Sequence, residues 1–258
     1  MLLAVSGRAA AARGPEELVL HTYHDKAPYY SPGLEDPATP GRCIYVDLAV
    51  YLNARQRAFQ VRIEYLPRAR LNRRLEQGDL PGGVIGVHPL WFRDKDRTRH
   101  LWTPPFMSDR DVVVVARGRA FPYAHPRDLA GKTVTLPRGL YYWGVTELIA
   151  EGKIRGEETE RELQNLQKVA RGRADATITS IYAFRNMAAA YGLEGQLEIL
   201  PAAHDEYDRM ILLPRGYEKA YAAIEPLLRG ALNDPAWLDM LAVHGYGETA
   251  REGAPPDE

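Results

Sequence analysis

The order of apolar and polar positions along the first hundred residues predicts strands that alternate with helices. Short apolar or alternating runs at Leu18–Tyr23 and Phe59–Leu66 are typical of strands. From Cys43, apolar residues recur at i, i+4, i+7 and i+8, which predicts a helix with one apolar stripe. A second helix, RARLNRRLEQ, is predicted to end at Gly78, and the run VIGV predicts a third strand. This β-α-β-α-β order predicts parallel strands in an α/β sheet covered on both faces.

A second β-α-β series follows DVVVVARG (Asp111–Gly118), a β-branched run that predicts a central strand. Lys132–Leu136 and Asp175–Thr179 predict two more strands. A helix is predicted at Tyr141–Ala150, and the charged segment GEETERELQNLQKVARG predicts an amphipathic helix. LEILP and YDRMILLP predict separate strands, which two C-terminal helices follow.

The chain is predicted to cross back to the first half near His204, because YDRMILLP and the terminal helices need a partner sheet. Two crossings between α/β halves form a hinge, and hinged halves close around ligands. We therefore predict one lobe from residues 15–110 plus 205–258, a second from residues 111–204, and a cleft between them. Residues 1–14 are predicted to be a signal-peptide remnant, because an Ala-rich stretch precedes a polar segment; a frayed start is the alternative.

Composition argues against several classes of protein. The net charge is −1, whereas a nucleic-acid-binding protein needs a basic face. No apolar run approaches the roughly 18 residues of a membrane span. Cys43 is the single cysteine, so it forms no intrachain disulfide and no Cys-based metal cage. His24 beside Asp25 lacks the further ligands of a metal site. We predict a monomer without metal or cofactor.

The loop within Gly83–Phe106 concentrates candidate binding residues. Guanidinium groups bind carboxylates and phosphates in a planar, bidentate manner, and this loop places arginines beside aromatic rings. The alternative is pairing with neighbouring aspartates on the surface, which contributes little stability. We predict that at least one of these arginines faces the cleft, Arg97 before Arg93 or Arg99. Arg138-Gly139 is predicted to open the Tyr141–Ala150 helix, whose N-terminus would bind an anion; an ordinary turn is the alternative.

The remaining candidates lie at strand ends or helix starts, where rigid scaffolds carry binding residues. Each aromatic candidate would stack on a ligand or, alternatively, pack against the sheet or a loop. Alternatively, Ser180 would only cap a helix. Arg70 would lie on the surface, and Tyr207 would pair with other residues of the second crossing. These candidates are Tyr23, His24, Arg70, His88, Trp91, Tyr141, Tyr142, Ser180 and Tyr207, with Tyr29 and Tyr30 as alternatives to the first two.

Five segments, in order, resemble the extracytoplasmic solute-binding proteins of amino-acid-type (family 3) ABC transporters, and the resemblance covers roughly Leu18 to Tyr246. The segments are GRCIYVDLAVYLNARQRAFQVRIEYLP, LNRRLEQGDLPGGVIGV, DRTRHLWTPPFMSDRDVVVVARG, DLAGKTVTLPRGLYY and KVARGRADATITSIYAF. The resemblance implies a type II periplasmic-binding-protein fold: two α/β lobes, a hinge and an interlobe cleft. It also implies a periplasmic location.

The resemblance further implies roles for single residues. Arg97 matches the arginine that pairs with the ligand α-carboxylate in this family, and Arg93 lies close enough in sequence to compete. Ser180 stands where the family has an acid for the ligand α-amine, and a serine cannot neutralise an ammonium. The family's anion-binding Gly-Thr turn is replaced by Arg138-Gly139. These departures do not support specificity for an amino acid.

We predict a periplasmic solute-binding protein, without catalytic activity, that captures a small polar or anionic organic molecule for an ABC importer. Its partner would be a membrane permease or a periplasmic receptor. One alternative is a non-transport accessory or sensor protein of the same fold. A second is an enzyme like cyclohexadienyl dehydratase, for which Asp25 is the only acid that the sequence suggests.

Overall fold

The computed structural model describes residues 15–31 and 43–247, which form nine strands and seven helices. The predicted signal remnant lies outside these residues. The strands are β1 (Glu16–Thr22), β2 (Phe59–Tyr65), β3 (Gly83–Val87), β4 (Leu101–Trp102), β5 (Met107–Ala116), β6 (Thr133–Pro137), β7 (Arg155–Thr159), β8 (Ala176–Ser180) and β9 (Leu197–Leu213). The helices are α1 (Ile44–Arg55), α2 (Arg68–Gln77), α3 (Val145–Ala150), α4 (Glu162–Ala170), α5 (Ile181–Ala190), α6 (Glu218–Ala231) and α7 (Pro235–Ala242).

The strands follow the order β2-β1-β3-β9-β5-β8-β6-β7, with β4 beside β9. Lobe 1 contains β1, β2 and β3, and lobe 2 contains β6, β7 and β8. Within each lobe these strands pair in parallel, which confirms the expectation from the β-α-β pattern. The crossing strands β5 and β9 pair antiparallel with each other and with their neighbours. They join the lobes in one continuous strand path.

The crossing strands change register close to Asp111. Met107 pairs with Arg209 and Asp111 with Asp205, and the register shifts between Asp111 and Val112. Such irregularities bend a strand and increase its twist. The predicted lobe boundaries, 110/111 and 204/205, fall near this shift and stay predictions.

Apolar residues cover both faces of the sheet, as expected. Val112 and Val114 of β5 pack into a core with α1, α5, α6 and α7. Val113 and Val115 point to the opposite face and pack with Val145 and other residues of lobe 2. This alternation follows from the two-residue period of a strand. A third cluster, which includes Leu71 and Val84, covers the other face of lobe 1.

Two helix predictions were wrong in their extent. The helix predicted at Tyr141–Ala150 begins only at Val145, because Gly144, with φ at 72°, breaks the chain direction. In the charged segment, Arg155–Thr159 forms β7, and α4 starts at Glu162. An edge strand tolerates charged side chains because it pairs on one side only.

The strands predicted at LEILP and YDRMILLP are one strand, the 17-residue β9. The intervening AAHDE stays extended because it pairs with β5, for example Ala203 with Val112. By contrast, the end of α2 was predicted correctly. Gly78 has φ at 72°, and its amide closes the helix on Arg74 and Leu75.

Candidate functional site

The loop after β1 connects the two lobes through polar contacts. The Lys26 ammonium lies 2.5 Å from the carboxylate of Glu162, at the start of α4. Tyr29 is fully buried, and its hydroxyl lies 2.5 Å from Ser180 Oγ at the end of β8. The same hydroxyl donates to Asp109 on β5 at 2.5 Å. This loop therefore holds lobe 1 against lobe 2 beside the crossing strands.

Arg209 of β9 lies at the centre of these contacts and is 1% exposed. Its Nε donates to Asp109 Oδ2 at 2.8 Å, and Nη2 forms an ion pair with the same oxygen at 2.7 Å and donates to the Tyr207 hydroxyl at 3.3 Å. Its Nη1 donates to the Gly86 carbonyl at 2.8 Å and to the Tyr45 hydroxyl at 3.3 Å. We call the following residues the hinge cluster: Tyr29, Tyr45, Asp109, Ser180, Tyr207 and Arg209.

Aromatic rings enclose the Arg209 guanidinium. Its carbon lies 4.1 Å from the ring centre of Tyr29, 5.3 Å from that of Tyr207 and 5.7 Å from that of Trp91. Trp91 and Tyr207 meet edge to face at 4.8 Å. Cations are attracted to aromatic faces at such distances, and more strongly where water is excluded. The rings therefore stabilise a positive charge that would otherwise lose its hydration.

Gly86 allows the close approach on which this arrangement depends. A β-carbon at Gly86 would lie 1.9 Å from the Tyr45 hydroxyl oxygen. Its φ is 76°, and the pairing of β3 with β9 shifts register between Ile85 and Val87. This β-bulge places the Gly86 carbonyl 2.8 Å from Arg209 Nη1.

Asp111 adds a second carboxylate next to Asp109. Ser180 Oγ donates to Asp109 at 2.9 Å, and the Tyr207 hydroxyl donates to Asp111 at 2.9 Å. Burial, together with the negative charge of Asp109, raises the pKa of Asp111 to about 7. The cleft thus holds an acid that exchanges its proton near neutral pH.

His24 is neutral in this environment. Its Nδ1 lies 3.0 Å from the Tyr45 hydroxyl. Burial, followed by the positive charges of Arg209, Lys26 and Arg68, holds the pKa of His24 well below its usual range. It contributes a polar, uncharged ring to the wall of the cleft.

Arg68 and two tyrosines lie beside the hinge cluster. The Arg68 guanidinium lies 4.4 Å from the ring centre of Tyr23, and its Nη2 donates to the Trp91 carbonyl at 2.9 Å. Tyr142 is buried in lobe 2, where burial and the nearby acids Glu162 and Asp111 raise the pKa of its hydroxyl well above the usual range.

The structure brings together half of the predicted binding residues. His88 lies next to Trp91, with ring centres 6.0 Å apart. Burial lowers the pKa of His88, and the charges of Asp205 and Arg97 also influence it. The predicted residues that belong to the hinge cluster or border it are Tyr23, His24, Trp91, Tyr142, Ser180 and Tyr207.

The predicted arginines are exposed. Arg93 and Arg97 both have positive φ and lie in a surface loop, and Arg70 is exposed on α2. Arg138 pairs with the exposed Glu158 and Glu160 rather than starting a helix. Tyr141 is 56% exposed and donates to Glu147 at 2.5 Å. Binding roles for these residues stay predictions.

Sequence reasoning missed the residues that dominate the cluster. Arg209, Asp109 and Tyr45 are not among the candidates that the sequence suggests. The segment FMSDRDVVVV contains an Asp-x-Asp pair at a strand crossing, a signal that pointed to Asp109 and Asp111. The two-residue period of a strand places Asp109 and Asp111 on one face of β5, and Tyr207 and Arg209 on one face of β9. It does not show that these two sets of side chains meet.

Within residues 15–31 and 43–247, no group of three or more His, Cys, Asp or Glu side chains is placed to hold a metal ion. In the same residues, the helices are too short or too polar to span a membrane.

No protein-family model matches the chain, and no curated protein matches it. Solved structures do. An ancestral arginine-binding protein bound to arginine is 16% identical, with a TM-score of 0.67 over 89% of this chain and 98% of that one. The substrate-binding protein of an amino acid ABC transporter is 16% identical, with a TM-score of 0.62 over 87% and 97%. The periplasmic VFT2 domain of Bordetella pertussis BvgS is 17% identical, with a TM-score of 0.59 over 89% and 92%.

At these identities the likeness establishes the fold and leaves the ligand open. The similarity extends over nearly the whole length of each of these proteins, and the strand order with two crossing strands agrees with it. The predicted resemblance to solute-binding proteins is therefore confirmed in its architecture: this chain has the type II periplasmic-binding-protein fold, with two α/β lobes, a hinge and an interlobe cleft.

Proposed function

We propose that this protein is a periplasmic solute-binding protein that captures a small polar or anionic organic molecule between its lobes for an ABC importer. The observation that carries the proposal is the group of buried charged and aromatic side chains that both lobes contribute at the crossing strands. Ligand pockets combine apolar and aromatic walls with a few placed polar groups.

The solute would lie between Tyr23 of lobe 1 and Tyr142 of lobe 2. Arg68 is the best-placed cation for an anionic group, since its one hydrogen bond to the Trp91 carbonyl leaves further N–H groups for a ligand. Asp111 would accept from a hydroxyl or amine of the same solute, because its carboxylate receives a single hydrogen bond, from Tyr207. Binding then closes the lobes and excludes water from these contacts.

A thermal-shift screen over organic acids, amino acids and phosphorylated compounds tests the proposal. A solute that binds the folded state stabilises it by about 2.7 kcal/mol at a hundredfold excess over Kd. We expect the Arg68→Ala variant to lose affinity for the stabilising compound, whereas Arg62→Ala, which removes an exposed arginine paired with Glu17 and Glu64, should keep it. Failure of every compound to stabilise the wild type contradicts the proposal.

The second candidate is a non-transport accessory or sensor protein of the periplasm. It is favoured by Arg209, because each of its three guanidinium nitrogens already donates a hydrogen bond within the chain. In that case the surfaces of the lobes would bind a receptor or another periplasmic protein. A protein that stays compact in solution and binds no compound of the panel would favour this candidate.

An enzyme like cyclohexadienyl dehydratase is the third candidate. The acid that the sequence suggested, Asp25, is exposed, but Asp111 has a pKa of about 7 inside the cleft, as a general acid requires. Incubation with prephenate distinguishes this candidate: turnover that the Asp111→Asn variant abolishes would support it, and absence of turnover would exclude this reaction.

A further inference from the structure

All three nitrogens of the Arg209 guanidinium are engaged by acceptors of the chain itself. Nε donates to Asp109, Nη1 to Tyr45 and to the Gly86 carbonyl, and Nη2 to Tyr207. Nη2 also lies 2.7 Å from the Asp109 carboxylate as an ion pair. An incoming carboxylate would therefore have to displace acceptors that the chain itself provides.

The surroundings of this guanidinium are those of a complete binding site. A carboxylate neutralises its charge, two phenols and a carbonyl accept its remaining hydrogens, and the Tyr29 ring lies 4.1 Å from its carbon. Aromatic faces and acceptors placed around all three nitrogens together favour a planar guanidinium over an ammonium. A buried guanidinium needs acceptors for its N–H groups, and here they come from α1, β3, β5 and β9, so that the whole group is surrounded.

The same site connects the lobes. Tyr29, which stacks on Arg209, and Asp109, which pairs with it, both contact Ser180 of lobe 2. Ordering of Tyr29 and Asp109 by the guanidinium thus favours the closed arrangement of the lobes.

We propose that the hinge cluster is a guanidinium-binding site that Arg209 occupies in cis, so that the cleft closes around a group of its own. Asp109 is thereby unavailable to solutes that carry a guanidinium, and such solutes do not bind there in the wild type. This inference rests on the proposed function only in taking the cleft as the place where solutes bind.

The test is chemical rescue of the Arg209→Ala variant by ethylguanidinium, which has the same atoms as the portion of the side chain removed beyond the β-carbon. We expect the substitution to lower the melting temperature and added ethylguanidinium to raise it again, saturably. The rise should be roughly 5 °C or more at a hundredfold excess over Kd. Ethylammonium, which lacks the planar group, should rescue less.

Two controls separate specific binding from a general salt effect. Ethylguanidinium should not stabilise the wild type, where the site is filled, or Arg62→Ala, which loses an exposed arginine. The Arg209→Ala/Asp109→Asn double variant should lose the rescue, because the neutral amide no longer pairs with the cation. If Arg209→Ala does not fold alone, its yield on refolding with and without ethylguanidinium gives the same readout.

Equal shifts for the wild type and Arg209→Ala, or no shift in either, would overturn the inference. The two proposals fail separately. A panel solute that stabilises the wild type without rescue of Arg209→Ala would leave the proposed function standing and remove this inference. Rescue of Arg209→Ala by ethylguanidinium, in a case where no panel solute stabilises the wild type, would leave this inference standing and remove the proposed function.

Discussion

At the scale of single residues, the carboxylates at the crossing strands differ in whether a cation pairs with them. Lys26 and Arg209 face the carboxylates of Asp109, Asp111 and Glu162. Lys26 pairs with Glu162, and Arg209 pairs with Asp109, so Asp111 has no cation of its own. Burial raises the pKa of Asp111, and this effect is offset only in part by the charges of Lys26 and Arg209 and by the hydrogen bond from Tyr207. The carboxylate without an ion pair is that of Asp111, and its titration should be visible in the stability of the protein.

We predict that Asp111→Asn stabilises the protein above pH 7 and leaves it nearly unchanged below pH 4. The carboxyl titrates near 3.8 in the unfolded chain and near 7 in the folded protein. Between these values the folded state binds more protons, so ionisation lowers the free energy of unfolding as the pH rises. The gain above pH 7 should be on the order of 2 kcal/mol, allowing for partial solvent screening. Urea unfolding at pH 4, 5.5, 7 and 8.5 measures it.

The measurement has to be a difference between variant and wild type, because histidines titrate in the same range. Burial lowers the pKa of His204 to about 4, so its protonation favours the unfolded state below pH 6.5 and gives a slope of opposite sign. Asp239→Asn, at an exposed position of α7, serves as the control for the loss of one carboxylate. A constant offset for Asp111→Asn across this range would show that its carboxyl is not perturbed.

Residues at strand ends were predictable to the extent that strand ends could be located. Tyr23, His24 and Trp91 were identified because they directly follow apolar runs, and Ser180 because it follows DATIT. Arg209 lies inside a strand, where an arginine usually points to solvent, and only its partners from β3, β5 and α1 explain its burial. Contacts between segments distant in sequence have no local signal in one sequence.

At the scale of elements, the arginine-rich loop after β3 is organised by an aspartate rather than by its arginines. Asp94 is 3% exposed and accepts from the amides of Thr98, Arg99 and His100. It also accepts from the indole of Trp102 at 2.7 Å. Burial raises the pKa of Asp94, but these hydrogen bonds together hold it below its usual value. The aspartate expected to pair with arginines on the surface is thus the internal support of the loop.

We predict that Asp94→Ala destabilises the protein by about 3 kcal/mol, because buried donors lose their acceptor. The exposed neighbour Asp96 provides the matched control, and Asp96→Ala should change the free energy of unfolding by less than about 0.5 kcal/mol. Chemical denaturation followed by tryptophan fluorescence measures both, since Trp102 reports on the loop directly. Equal effects of the two substitutions would contradict this role of Asp94.

Periodicity located most elements but not the pairing that lengthens or shortens them. The glycine stop at Gly78 was sufficient for α2, whereas the β-branched run from Asp111 located β5 without its first four residues, since the strand begins at Met107. β9 is one continuous strand because it pairs with β5. β7 is a strand because it lies at the edge of the sheet, where GEET can carry charges. Both exceptions arise from tertiary contacts, because pairing with neighbouring strands overrides the local structural preference of the sequence.

At the scale of the whole molecule, few polar contacts hold the lobes together beyond the crossing strands. The pair of Lys26 with Glu162 has side chains only 12% and 8% exposed, and Thr179 also donates to Glu162. If one partner of such a buried pair is removed, the other is left uncompensated, which costs about 3–5 kcal/mol. Opening at the hinge reduces this free-energy cost, because it returns the remaining charge to water.

We therefore predict that Lys26→Met shifts the protein towards an open arrangement. A compact chain of 258 residues has a radius of gyration of about 18 Å. Small-angle X-ray scattering should give a larger value for Lys26→Met than for the wild type. The Lys26→Met/Glu162→Gln double variant should return towards the wild-type value, because no uncompensated charge remains.

The matched control is the ion pair of Lys168 with Glu157, which has the same 2.5 Å separation but lies entirely within lobe 2 and is more exposed. Lys168→Met should leave the radius of gyration unchanged, because its loss does not affect the contact between lobes. If Lys26→Met unfolds the protein instead of opening it, circular dichroism will show lost helix and strand signal. If both lysine variants scatter like the wild type, the closed arrangement does not depend on this pair, and the contacts of Tyr29 with Ser180 and Asp109 must be sufficient.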